Sequence, residues 1–132
     1  MALIPVGAVD YKTALVAARI AFTSTTAGAV TGDRRGLASK SVTVSSGAMT
    51  ITLAAAQLVG LADIIVVSSL LATTATGNAG CKRCAPVSVN TTTGAVVLQI
   101  ITDDGTSGIP AYGASADGDT LHLTLMLVYN QE

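Results

Sequence analysis

Apolar residues in this chain recur mainly at every second position, and the last segment shows the pattern most clearly. In residues 119–129, Leu121, Leu123, Leu125 and Leu127 alternate with Thr120, His122, Thr124 and Met126. Successive side chains of a strand point to opposite faces, so this spacing predicts a strand with one leucine face and one mixed face. Two further stretches repeat the motif in pairs. Val42 and Val44, a Ser46-Gly47 turn, then Met49, Ile51 and Leu53 read as one hairpin. Residues 86–90, a 91–94 turn containing Gly94, and residues 95–101 read as another.

The remaining segments are less regular. Residues 13–22 are rich in alanine and compatible with a helix, but their flanks favour a strand. Residues 63–71, Asp-Ile-Ile-Val-Val-Ser-Ser-Leu-Leu, form a near-continuous apolar run, expected of a strand buried on both faces, in mid-sheet or at an interface. The one helical candidate, residues 53–60, spans barely two turns and ends at Gly60, a suitable C-cap. Residues 23–39, 73–84 and 103–119 carry Ser, Thr, Gly and Asp and read as long loops.

Seven or eight short strands separated by turn residues predict an all-β fold, a β-sandwich or jelly roll, with a barrel as the alternative. Pro5 fixes its own φ and donates no hydrogen bond, so residues 1–13 read as an extended N-terminal arm. Residues 14–132 are then a single β domain.

Composition adds a constraint on partners. Half of the 132 residues are apolar and only 11% are charged, against roughly 25% charged in an average soluble domain. No stretch reaches the ~20 apolar residues of a membrane helix, and the first residues lack the basic and apolar regions of a secretory signal. Disorder is excluded because disordered chains are poor in Val, Ile and Leu. A surface of Ala, Thr, Ser, Gly and Val on a folded domain is expected to be covered by self-association. A net charge of −1 gives no positive field for nucleic acid. Arg34-Arg35 and Lys82-Arg83 read as solvated loop charges.

Little in the chain suggests catalysis. Cys81 and Cys84 are spaced to chelate zinc or cycle as a redox pair, but structural zinc takes four ligands and the chain has two cysteines and one histidine. A shared site would need a second subunit, and the strand-to-helix setting of a thioredoxin motif is missing. A loop disulfide or two reduced thiols is the simpler reading. His122, lying between two leucines, has no positioned partner for acid–base work. Asp103, Asp104, Asp117 and Asp119 fit Asp-Gly turns better than a calcium loop. No P-loop or aromatic platform is present, so no cofactor is expected and the chain reads as a non-enzyme.

Residues 86–98, Pro-Val-Ser-Val-Asn-Thr-Thr-Thr-Gly-Ala-Val-Val-Leu, and 116–129, Ala-Asp-Gly-Asp-Thr-Leu-His-Leu-Thr-Leu-Met-Leu-Val-Tyr, resemble strands of tailed-bacteriophage capsid decoration (cement) proteins. The resemblance implies a homotrimer on the outside of a phage head, bound to a major capsid protein and stabilising the shell. It implies synthesis in the bacterial host cytoplasm and residence in the virion. It further implies that Leu3, Ile4, Pro5 and Val6 of the arm contact the capsid or a neighbouring subunit, and that Leu121, Leu123, Leu125 and Leu127 form an oligomer core. Another virion component (a head fibre, tail or small coat subunit) and a surface ligand-binding β module are the alternatives.

Overall fold

The structure, a computed structural model, describes residues 11–31, 36–74, 82–102, 111–113 and 115–130. The expected arm residues Leu3, Ile4, Pro5 and Val6, and also Cys81, Asp103 and Asp104, lie outside them. The fold is all-β. Nine strands run through the described residues: β1 (Tyr11–Phe22), β2 (Ala27–Thr31), β3 (Ser41–Thr43), β4 (Ala48–Thr52), β5 (Leu61–Ala72), β6 (Lys82–Val89), β7 (Ala95–Thr102), β8 (Ala111–Tyr112) and β9 (Thr120–Asn130). They form two antiparallel sheets. One has the order β3-β2-β1-β9-β5, the other β4-β7-β6 with the short β8 also on β7.

The centre of the larger sheet is β9, paired with β1 from Tyr11↔Asn130 to Ala21↔Thr120 and with β5 from Leu61↔Tyr129 to Ala72↔Thr120. Its leucine face turns inward. Leu121, Leu125 and Leu127 are 0% exposed and Leu123 1%. Ile20 and Phe22 of β1 pack in the same cluster, as do Met49 and Ile51 of β4 and Val96, Leu98 and Ile100 of β7. Both sheets therefore contribute to one core, and the four leucines expected at an oligomer interface are enclosed within the chain itself.

The local rules that build these strands also explain where the expectations fail. Residues 23–39, expected to be loop, contain β2. Its Gly28 lies opposite Phe22, and a Cβ there would meet the Phe22 ring at 2.9 Å, Ile20 at 3.0 Å and Val42 at 3.1 Å. Glycine marks a close approach between packed strands here, not a break in structure. The expected 42–53 hairpin is a corner. Ser45 and Ala48 exchange backbone hydrogen bonds of 3.0 and 2.9 Å around Ser46 (φ 49°) and Gly47 (φ 77°), yet β3 and β4 belong to different sheets. The expected helix is reduced to one 3₁₀ turn, Ala55–Gln57. Part of the 73–84 loop is instead the start of β6.

The 86–101 hairpin forms as expected, with β6 and β7 paired around the 91–94 turn. Asn90 Oδ1 accepts from the Thr92 and Thr93 N–H groups at 2.9 and 3.0 Å, and Gly94 takes a φ of 75°. Sequence and geometry agree here because Asx turns and positive-φ glycines are local devices.

The tight seat of Gly28 gives a direct test. Gly28→Val forces three buried side chains apart and is expected to destabilise the domain by about 2 kcal/mol. An unchanged denaturation midpoint would show that β2 does not pack as described.

Candidate functional site: exposed apolar strand edges

Among the described residues, large apolar side chains reach solvent mainly on β5 and β6. The 63–71 run of β5 is not covered on both faces: Ile64 and Leu71 are buried, but Ile65, Val67 and Leu70 are 39%, 56% and 64% exposed. β5 is an edge strand with β9 as its partner in the sheet. A continuous apolar run is the same whether a second layer lies within the chain or outside it, so the sequence pattern left both readings open.

Cross-strand register extends this surface over the outer face of the larger sheet. Leu15, 70% exposed, lies opposite Met126, which lies opposite Ile65. One row away stand Ala17, Thr124 and Ser68, and beyond them Arg19, His122 and Leu70. His122 is exposed here, on the face opposite the leucines. A register shift between Val66 and Ser68 places Val67 at an irregularity of the edge.

The two sheets meet unevenly where β5 faces β6. At one level Ser69 Oγ donates to the Cys84 carbonyl at 2.9 Å. Further along, a groove of about 390 Å³ opens between Ile64, Ile65 and Val66 on β5 and Pro86, Val87, Ser88 and Val89 on β6. Pro86 lies opposite Leu98 and Val89 opposite Val96. Directly paired residues share a face, and Leu98 and Val96 are fully buried. Pro86 and Val89 therefore point to the core side of their sheet and still reach solvent. The groove is an opening into the core, and the described residues that line it carry no charged side chain.

A buried ion pair holds the opposite region of the same strands. Lys82, at the start of β6, places Nζ 2.7 Å from Asp119 Oδ2, with side-chain exposures of 8% and 1%. Asp119 Oδ2 also accepts the Ala116 N–H at 3.0 Å, and Phe22 N–H donates to the Asp119 carbonyl at 2.9 Å. Gly118, at a φ of 88°, completes the turn, so the expected Asp-Gly turn is present at 116–119. Lys82 is not the solvated loop charge expected from the sequence, whereas Arg83 beside it is exposed. Burial would raise the Asp119 carboxyl, but hydrogen bonds from Lys82 and Thr73, the Lys82 charge and the Ala116 N–H outweigh it and hold the group below the usual carboxylate value.

The other candidate groups are dispersed. Cys84 is a buried free thiol on β6, pushed up to about 11 by burial. Asp117 is exposed on the turn. Among the described residues, no three His, Cys, Asp or Glu side chains cluster as metal ligands. The Tyr129 hydroxyl, raised above its ordinary pKa by burial, donates toward the Gln57 carbonyl at 2.8 Å, with Gln57 Oε1 at 2.9 Å. It ties the 3₁₀ turn to β9, a structural contact.

Two measurements check these polar groups. Because the folded-state value of Asp119 is depressed, its stabilisation is present above the unfolded carboxylate pKa of about 4 and is lost as pH falls through the lower folded value. The melting temperature should fall in that acid range, and Asp119→Asn, which leaves Lys82 buried without its counter-charge, should cost about 3 kcal/mol at neutral pH. A neutral-pH loss below about 1 kcal/mol, the scale of an exposed pair, would contradict a buried one. Cys84 should react with a thiol reagent at pH 8 only after denaturant is added, since the nucleophile is the thiolate; fast labelling of the native protein at Cys84 would contradict the burial described.

Comparison of the chain with protein-family models, with curated proteins and with solved structures finds no match in any of the three.

Proposed function

We propose that this chain is a non-enzymatic structural protein of a virion, a capsid decoration or cement protein whose two sheets form a β-sandwich and which binds the outside of a phage head as a homotrimer. The observation that carries the self-association is the exposed apolar edge: Ile65, Val67 and Leu70 on β5, and Val87, 62% exposed, on β6. Long, apolar edge strands are normally shielded by charge, proline or a covering segment, because they template pairing with another chain. In β5, Asp63 is the only charged residue between Leu61 and Ala72.

Burying such a surface releases ~25 cal/mol per Å² of apolar area, and a specific interface needs about 800 Å² per partner. The outer row Leu15, Met126 and Ile65 widens the contact beyond the edge itself. Since the β9 leucines are enclosed, the subunit contacts of this reading use the opposite face of β9 and its neighbours. The resemblance of residues 86–98 and 116–129 to decoration proteins supplies the capsid and the major capsid protein as the larger partner. Cement action then consists of bridging capsid subunits by buried area, with no bond made or broken and no cofactor.

Sedimentation of the purified protein should show an oligomer at micromolar concentration, and addition to expanded phage heads should raise their resistance to heat. Val67→Asp together with Leu70→Asp should shift the protein towards monomer while leaving the fold intact, because both side chains are already solvated in the single chain. A wild-type monomer at micromolar concentration would defeat the proposal. Oligomers that bind no phage head would retain self-association and remove the capsid role.

A further inference from the structure

The groove between β5 and β6 is an unfinished edge of the core, and its chemistry specifies what completes it. Pro86 and Val89 face the core side yet reach solvent, opposite Ile64 and Val66 of the other sheet. An apolar, uncharged, strand-like segment would cover them and use the backbone edges that β5 and β6 turn away from their sheets among the described residues. The described residues are already committed to their own strands and turns. Of the segments outside them, residues 32–35 are Gly-Asp-Arg-Arg, 75–81 are Ala-Thr-Gly-Asn-Ala-Gly-Cys and 103–110 begin Asp-Asp-Gly. Residues 1–9, Met-Ala-Leu-Ile-Pro-Val-Gly-Ala-Val, alone combine apolar character, absence of charged side chains and sufficient length.

Resting on the self-associating reading above, we infer that residues 3–9 of one copy occupy the β5–β6 groove of a neighbouring copy, adding an apolar strand to its open edge. The direction of the chain favours a neighbour. β1 and β5 both run antiparallel to β9 and hence parallel to each other, and β1 begins at Tyr11 opposite Asn130, at the same end where β5 begins. The first described residue of β1, Tyr11, therefore lies at the end of the sheet where β5 starts, before the level of the groove at residues 64–66. To enter that groove the segment would reverse, cross β9 and β5 at ~4.8 Å per strand, and climb again at ~3.3 Å per residue, which consumes nearly all of it. A neighbouring copy receives it without reversal. Pro5 lacks a donor, which suits a segment paired along one side only, as on an edge.

The exchange is tested in full-length chains by mixing an Ile4→Cys variant with a Val87→Cys variant, oxidising, and identifying linked peptides by mass spectrometry. A disulfide joining residue 4 of one chain to residue 87 of the other is expected, at least tenfold above that formed with a Thr43→Cys chain. Ile4→Asp and Val87→Asp should each weaken association at least tenfold in sedimentation, while Val59→Asp, exposed but outside the groove, should not. If the wild type is oligomeric and the 4–87 link is absent, or these variants associate normally, the arm exchange is wrong and self-association stands. If a chain carrying both cysteines links only within itself, the groove is filled by its own segment and the exchange is overturned. A monomeric wild type removes the exchange together with the reading beneath it.

Discussion

The backbone ladder of β9 is the interaction on which the larger sheet depends. It holds β1 on one side and β5 on the other along almost their whole lengths, and its four leucines lie in the core cluster to which strands of both sheets contribute. Because the side-chain period is two, that inward commitment also fixes the outward set. His122, Thr124, Met126 and Val128 must face away from the core, and their neighbours on β1 and β5 follow from the register. The exposed apolar rows are thus a consequence of the same alternation that makes the core.

Charge is placed with similar economy. A buried ion pair is weak evidence of net stability, because desolvation offsets much of the attraction, but it strongly opposes loss of either partner. Here Lys82 begins β6 and Asp119 immediately precedes β9, so the pair ties one sheet to the other at the level where β1 ends at Phe22. Among the described residues, the opposite region of β5 and β6 has no such tie and opens into the apolar groove. One end of the strand pair is fixed by charge and the other presents surface.

Much of the fold was legible in the chain because its strongest signals are local. Alternating leucines marked β9, and Asn90 with Gly94 marked the β6–β7 turn, both through chemistry within a few residues. The misreadings share a cause in contacts that are distant in sequence. Gly28 looked like a loop glycine because the Phe22 ring that fills its space lies across a strand pair. Lys82 looked like a surface charge because Asp119 lies far along the chain. For β5, the run of Ile, Val and Leu predicted two covered faces, and nothing in it tells a covering layer within the chain from one supplied by another molecule. The candidate site was therefore visible in the sequence as an apolar excess, but its position on an edge was not.

The pairing of β1 with β9 bears on how the molecule is made. It joins residues about a hundred positions apart, such as Ala21 and Thr120, and closing so long a loop carries an entropic cost that contacts must repay before the sheet can persist. β9, the strand that β1 and β5 both require, is made after every other strand among the described residues. Until it arrives, the residues of β5 have neither their partner strand nor their core, and the most apolar stretch of the chain stands exposed in the nascent protein. The interval before β9 is made is therefore when this chain is most open to aggregation.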